Sequence, residues 1–130
     1  MAENGNLQYP VLVTAVGRDE FLARVRGEFP EAAAGIREDE AGLLHCEVAA
    51  FRRATEEAMD ACRLWECERH FRLVEELLAV AGPELRNALE VSYLEDLALG
   101  ECTLARYRAV KERMPRTLRE IVIGYHEQWA

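Results

Sequence analysis

Residues 83–99 read PELRNALEVSYLEDLAL. Wound as an α-helix at about 100° per residue, they place apolar side chains in every direction. Leu85 and Leu89 point one way, Leu94 and Leu97 another, Val91 and Ala98 a third. A helix that is apolar all round is enclosed by other helices instead of lying on a surface. The same stretch carries Asn87, Ser92, Glu95 and Asp96, groups that cost free energy to bury unless they are hydrogen-bonded. The segment therefore reads as the centre of a helical fold, pinned to its neighbours by polar groups or built around a site. Gly82 and Pro83 mark its start, the glycine closing the preceding helix and the proline sitting where its missing N–H costs nothing. Gly100 ends it.

The flanking sequence carries further 3.6-residue periodicity. Asp19–Phe29 is a helix with Leu22, Val25 and Phe29 on one stripe, ended by Pro30. A second begins near Asp39 or Glu40, where acids suit a helix N-terminus, and runs to about Met59 with Leu44, Val48, Phe51 and Thr55 as its buried line. A third covers about Ala61 to Val80, with Leu64, Cys67, Phe71, Val74, Leu77 and Leu78 inward. No glycine or proline divides these two, so a single bent helix is the alternative. Thr103–Arg113 follows, with Tyr107, Val110 and Met114 along one side. A last helix from Pro115 turns in Leu118, Ile121, Val122, Tyr125 and Trp129, leaving Ile123 off that face. The expected architecture is all-α, one domain over residues 19–130, as a bundle or stacked helix hairpins of roughly five to six helices. Residues 1–18 read as a flexible N-terminus and an apolar arm, Tyr9–Val16, either a short strand or an extended piece.

A chain of 130 residues can bury a single core without staples. Its net charge is −8, from 24 acids against 16 bases, although residues 103–130 are locally basic. An acidic chain is poorly suited to nucleic acid, whose phosphates need a positive field. Charge complementarity favours a basic protein partner. The candidate contact residues are Glu38, Asp39, Glu40, Glu56, Glu57 and Asp60. Trp65 joins them, because it points away from its own helix's apolar stripe among Arg69, Arg72 and Glu76. The Tyr9–Val16 arm is expected to cover it. No apolar run is long enough for a bilayer, and no secretory signal precedes the domain. The expectation is a cytoplasmic protein without a membrane partner. Cys46, Cys62, Cys67 and Cys102 are then free thiols, and on one helix Cys62 and Cys67 point too far apart to bridge.

No phosphate loop, nucleophile elbow, HExxH or paired CxxC occurs, and no cofactor is implied. The best ionisable pair is Glu66 and His70, four apart on the third helix. Cys67 shares that face, making Glu66, Cys67 and His70 weak metal-ligand candidates, short of the four a structural zinc requires. Glu47 falls within an apolar line and needs a partner, Arg106 or Arg119, or a raised pKa. With Glu66, His70 and Glu95 it would make an acid–base pocket. Asn87, Ser92 and Glu95 on the central helix are first of all register-fixing polar groups.

From about Leu43 onward the chain resembles a bacterial family of small helical proteins. The carrying segments are HFRLVEELLAVAGPELRNALEVSYLEDL (His70–Leu97) and the RxxMPRTLRE stretch near the C-terminus. Arg86, Asn87, Val91, Ser92, Tyr93, Leu94 and Glu95 match the helix pattern RNA-x-x-VS-[FY]-LE-x-L. That family looks immunity- or antitoxin-like. The resemblance implies a protein-binding module, plausible as an inhibitor of a basic bacterial toxin acting through an acidic surface. The alternatives are a metal-dependent or acid–base enzyme around Glu47, Glu66, His70 and Glu95, and a homo-oligomeric scaffold using Trp65, Ile123 and the arm.

Overall fold

The computed structural model describes residues 15–97 and 104–129, with side chains described for 15–97 and 108–122. The chain is an all-α single domain. Its elements are α1 (Arg18–Glu28), α2 (Pro30–Ala34), α3 (Leu44–Asp60), α4 (Leu64–Val80) and α5 (Pro83–Ala88). A π-helical segment, Leu89–Glu95, then α6 (Leu104–Arg113) and α7 (Arg116–Trp129) complete the order. Ala98, Leu99, Cys102, the arm before Ala15, and the side chains of Tyr107, Ile123, Tyr125 and Trp129 lie outside the described residues. The one described residue pairing resembling a strand is Val16 against Ala81. The Val16 N–H donates to the Val80 carbonyl at 2.9 Å, and the Gly82 N–H donates to the Val16 carbonyl at 2.8 Å.

Helix boundaries follow local chemistry. Pro30 does end α1, but it also occupies the first turn of α2, where its fixed φ is suited to helix. Between them Phe29 turns inward, 7% exposed. The second long helix begins at Leu44 and not at Asp39 or Glu40. The reason lies in the preceding turn. Gly42 has φ +92°, outside the helical region. Glu40 folds its carboxylate back to accept from the Arg37 N–H at 2.9 Å and from Arg53 at 2.9 Å.

α3 and α4 are separate helices. Cys62 sits at φ +60°, the left-handed conformation usually filled by glycine just past a helix end. The Cys62 N–H donates to the Met59 carbonyl at 3.0 Å and the Arg63 N–H to the Ala58 carbonyl at 2.8 Å. That crossed pair of bonds is the Schellman arrangement, and it satisfies carbonyls that the helix end leaves open.

The central helix departs most from its reading. After Ala88 its winding loosens to π, so about 100° per residue no longer predicts directions. It is not enclosed all round. Leu85, Ala88, Leu89, Ser92, Tyr93, Leu94 and Leu97 are buried, while Glu84, Arg86, Asn87, Glu95 and Asp96 face solvent. Its neighbours are chiefly α3 and α7. Of Asn87, Ser92, Glu95 and Asp96, only Ser92 is buried among the helices.

Phe51 of α3 sits in the middle of the core. Its ring stacks on Tyr93 at 5.5 Å between centroids and lies tilted on His70 at 4.7 Å. Phe21 meets it edge-on at 6.2 Å, and Phe29 approaches at 5.7 Å. Such aromatic contacts add to simple area burial. Around them pack Val48, Met59, Phe71, Val74, Leu77, Leu85, Leu89 and Leu118, all essentially inaccessible.

Replacing Cys62 by glycine removes the Cβ strain of a left-handed residue, worth about 1 kcal/mol. The Cys62→Gly variant is expected to unfold at higher urea than the parent. An unchanged or lower midpoint would contradict the assignment of strain to this turn.

Candidate functional site

The third helix of the sequence reading, α4, carries His70 inward at 1% exposure. Its Nδ1 lies 2.7 Å from Thr55 Oγ1, which lies 2.6 Å from the Tyr93 hydroxyl. Thr55 Oγ1 is also 3.3 Å from the Phe51 carbonyl. Either tautomer of His70 closes these bonds: Nδ1–H donates to Thr55, which donates to the Phe51 carbonyl, or Thr55 donates to Nδ1 and the ring proton sits on Nε2. His70 Nε2 lies 4.0 Å from Glu66 Oε2.

Burial drives the electrostatics of this chain. Loss of hydration pushes His70 down from 6.5 to about 4, Glu66 opposing and Arg69 and Arg63 assisting. Burial also raises the Tyr93 phenol above its ordinary value, against its hydrogen bond to Thr55. His70 is therefore a neutral imidazole at physiological pH and a poor general base, whose ideal pKa lies near the working pH.

Nε2 faces a cleft of about 270 Å³ between α1, α2, α3 and α4. Phe29, Pro30, Ala32 and Ala54 form its apolar wall, and Glu28, Glu31, Glu57, Glu66, Arg63 and Arg69 its charged rim. Arg63 is held by Glu66 Oε1 at 2.9 Å. Arg69 lies over Phe29 at 4.9 Å and reaches Trp65 at 5.6 Å, both distances to ring centroids. Trp65 itself is 60% exposed, and most of the arm expected to cover it lies outside the described residues.

Of the four residues expected to share an acid–base pocket, only Glu66 and His70 meet. Glu47 is buried in α3, but its partner is Arg18, not Arg119, and the Arg106 side chain lies outside the described residues. Arg18 Nε and Nη2 each donate to it at 2.7 Å, and the Gly42 N–H adds a third bond at 2.7 Å. The Arg18 hydrogen bond, ahead of Gly42, holds the carboxyl below the usual range against its desolvation. Glu95 is exposed and does not line the cleft. Cys67 is fully buried in the core. Among the described residues, no three or more His, Cys, Asp or Glu groups are placed to hold a metal ion, and Cys46, Cys62 and Cys67 form no disulfide.

The central-helix polar residues divide. Ser92 Oγ lies 2.6 Å from His45 Nδ1, tying the start of α3 to the π-helical segment. Arg52 donates to the Ser92 carbonyl at 3.2 Å, answering an acceptor close to a helix end. Asn87 reaches only the edge of hydrogen-bond range, 3.5 Å from His45 Nε2, and is exposed. His45, Arg52 and Arg18 are partners that the sequence reading missed, each separated from its target by at least 29 positions.

The expected acidic face is broken up. Glu38 and Asp39 are exposed, with Arg37 3.5 Å from Asp39. Glu40 is buried, and hydrogen bonds from Arg53 and the Arg37 backbone hold its carboxyl below the ordinary value. Glu56 pairs with Arg52 at 3.4 Å. Glu57 is exposed on the cleft rim, and Asp60 is exposed.

The model of a domain of unknown function, DUF7674, matches residues 22–130. The chain belongs to this family. No curated protein and no solved structure matches the DUF7674 chain. The family match covers every helix from within α1 onward and so takes in the cleft, Trp65 and the buried Tyr93–Thr55–His70 chain. Among the described residues of this DUF7674 domain, no helix is long and apolar enough to cross a membrane.

Two outcomes follow. Because His70 binds its proton less readily folded than unfolded, stability falls as pH drops from 6.5 to about 4, by on the order of 3 kcal/mol, and flattens in this respect below. Urea titrations over that window should show the loss, and His70→Gln should reduce it. Arg18→Met leaves Glu47 buried and unpaired, so the urea midpoint at pH 7 should drop, with Glu47→Gln in the same chain restoring part of it. A midpoint indifferent to Arg18 would show that the pair does not hold α1 to α3.

Proposed function

We propose that this protein is a protein-binding module whose contact face is Trp65 together with the carboxylate-rimmed cleft beside it. The observation that carries this reading is the 60% exposure of Trp65, next to an Arg69 that spans the distance to Phe29 in the cleft wall. Tryptophan and arginine supply a large share of binding energy at protein interfaces. The net charge of −8 supports a basic partner, drawn in by long-range attraction. Glu57 replaces the wider acidic face as the carboxylate of this reading, since arginines of the same chain occupy Glu40, Glu56 and Glu66.

In its finer form the module is an immunity-type inhibitor of a basic bacterial toxin. That form is supported by the acidic balance and by the resemblance of the His70–Leu97 segment. The acid–base alternative is weakened by a histidine held near pKa 4 and by the separation of Glu47 and Glu95 from the cleft.

The test is capture of interacting proteins by the wild-type domain and by Trp65→Ala, followed by calorimetry on any protein lost in the variant. A basic protein whose affinity falls at least about 30-fold in Trp65→Ala, and falls again as salt rises, is the expected result. Partners that bind both forms equally, or with salt-independent affinity, would refute the proposal. Self-association that disappears in Trp65→Ala would replace it by the homo-oligomer reading.

A further inference from the structure

We propose that residues 9–14, YPVLVT, dock back onto their own domain and fill the apolar groove between α4 and α7. The proposal stands apart from the protein-binding reading above and concerns a different face of the molecule. Three observations carry it.

The first is the groove itself. A hollow of about 520 Å³ lies between the last turns of α4 and the first two turns of α7, floored by Leu78, Ala79, Leu118 and Ile121. That is more than three times the roughly 150 Å³ that admits a benzene molecule. Its polar rim is already engaged. Glu75 accepts from Thr117 at 2.9 Å, Glu76 accepts from Arg24 at 2.7 Å, and Arg86 donates to the Leu78 carbonyl at 2.6 Å. An apolar floor whose rim charges are satisfied suits an uncharged apolar segment, since a charge brought here would lose water without gaining a partner. Residues 9–14 carry no charge, and an extended chain sets Tyr9, Val11 and Val13 on one face.

The second is where the described chain begins. Val16 is held to the residues just past α4, its N–H on the Val80 carbonyl and its carbonyl on the Gly82 N–H. The pairing with Ala81 is parallel, which aims the residues before Val16 back toward α4 instead of away from the domain. The residues that α4 gives to the groove run from Glu75 to Ala79, roughly 3–9 Å along the helix axis from Ala81. Val80, 38% exposed, lies between.

The third is reach. The six residues from Ala15 back to Tyr9 span at most about 22 Å, ample for the groove. Trp65 stands at the opposite end of α4, roughly 24 Å along the axis from Ala81, so the apolar segment falls short of it even when fully drawn out. Anchoring at Val16 holds the segment near the groove at an effective concentration on the order of millimolar.

The test is NMR on the full chain with labelled Ala, Ile, Leu and Val methyl groups. Cross-relaxation peaks between the methyls of Val11, Leu12 or Val13 and those of Ala79, Leu118 or Ile121 are the expected result. In the full-length Val11→Asp/Val13→Asp variant those peaks should vanish. Relaxation of the Ala79 and Ile121 methyls by a dissolved paramagnetic chelate should then rise, while the Trp65 indole signal stays in place. If that variant does not fold, the wild-type spectrum decides alone. Absence of arm-to-groove peaks, peaks from the arm to the Trp65 ring, or groove methyls equally open to the chelate in both proteins would overturn the proposal. A mixture of labelled and unlabelled chains identifies the source of the arm, and peaks that arise only between chains would overturn it in favour of a second copy.

Discussion

Thr55 Oγ1 is the point where three elements of this fold are joined: it lies on α3 and is hydrogen-bonded to His70 on α4 and to Tyr93 on the π-helical segment. All three residues are essentially inaccessible, and each carries a polar group that would cost roughly 1–3 kcal/mol if left unpaired. The network is closed on its inner side, since Thr55 Oγ1 also lies 3.3 Å from a backbone carbonyl within α3. Rotating any one of the three helices would strand the other two partners. A hydrophobic core tolerates such rotations more easily, because apolar contact is not directional. The stacking of Phe51 on both Tyr93 and His70 covers the network from one side and accounts for its dryness.

That same network sets the chemistry available at the surface. By fixing the Nδ1 side of the imidazole inside, it leaves Nε2 as the only polar atom of the ring able to meet a ligand. By burying the ring, it keeps the imidazole neutral. The cleft thus presents a neutral imidazole edge among carboxylates. Trp65, four residues before Arg69 on the same helix, places an apolar contact beside that polar one. A face that combines an aromatic anchor with a charged recess resembles the energetic centres of protein interfaces more than it resembles a catalytic site.

The sequence made the helices legible wherever a 3.6-residue stripe ran uninterrupted. Val48, Phe51 and Thr55, and Cys67, Phe71, Val74 and Leu78, all point inward as their spacing requires. The Glu66–His70 proximity follows from the same period. What stayed hidden had other physical origins. The end of α3 was obscured because cysteine, not glycine, takes the left-handed position. The start of α3 was misplaced because Glu40 turns back on Arg37 and Arg53 instead of capping a helix. The partner of Glu47 is Arg18, on a helix whose position only the tertiary fold determines. The Trp65 ring, 60% exposed, lies against Arg69 one turn along the same helix.

The π winding over Leu89–Glu95 carries its own consequence. Three consecutive residues, Ser92, Tyr93 and Leu94, are all withdrawn from solvent. A looser helix turns roughly 80° per residue, given bonds from i to i+5, so successive side chains fan through a narrower arc. Ser92 can then address His45 while its neighbour Tyr93 addresses Thr55, two separate attachments to one helix from adjacent positions. Deleting one residue here would let the backbone rewind to a tighter helix and swing everything downstream around the axis. Length in this short span is therefore more tightly constrained than residue type.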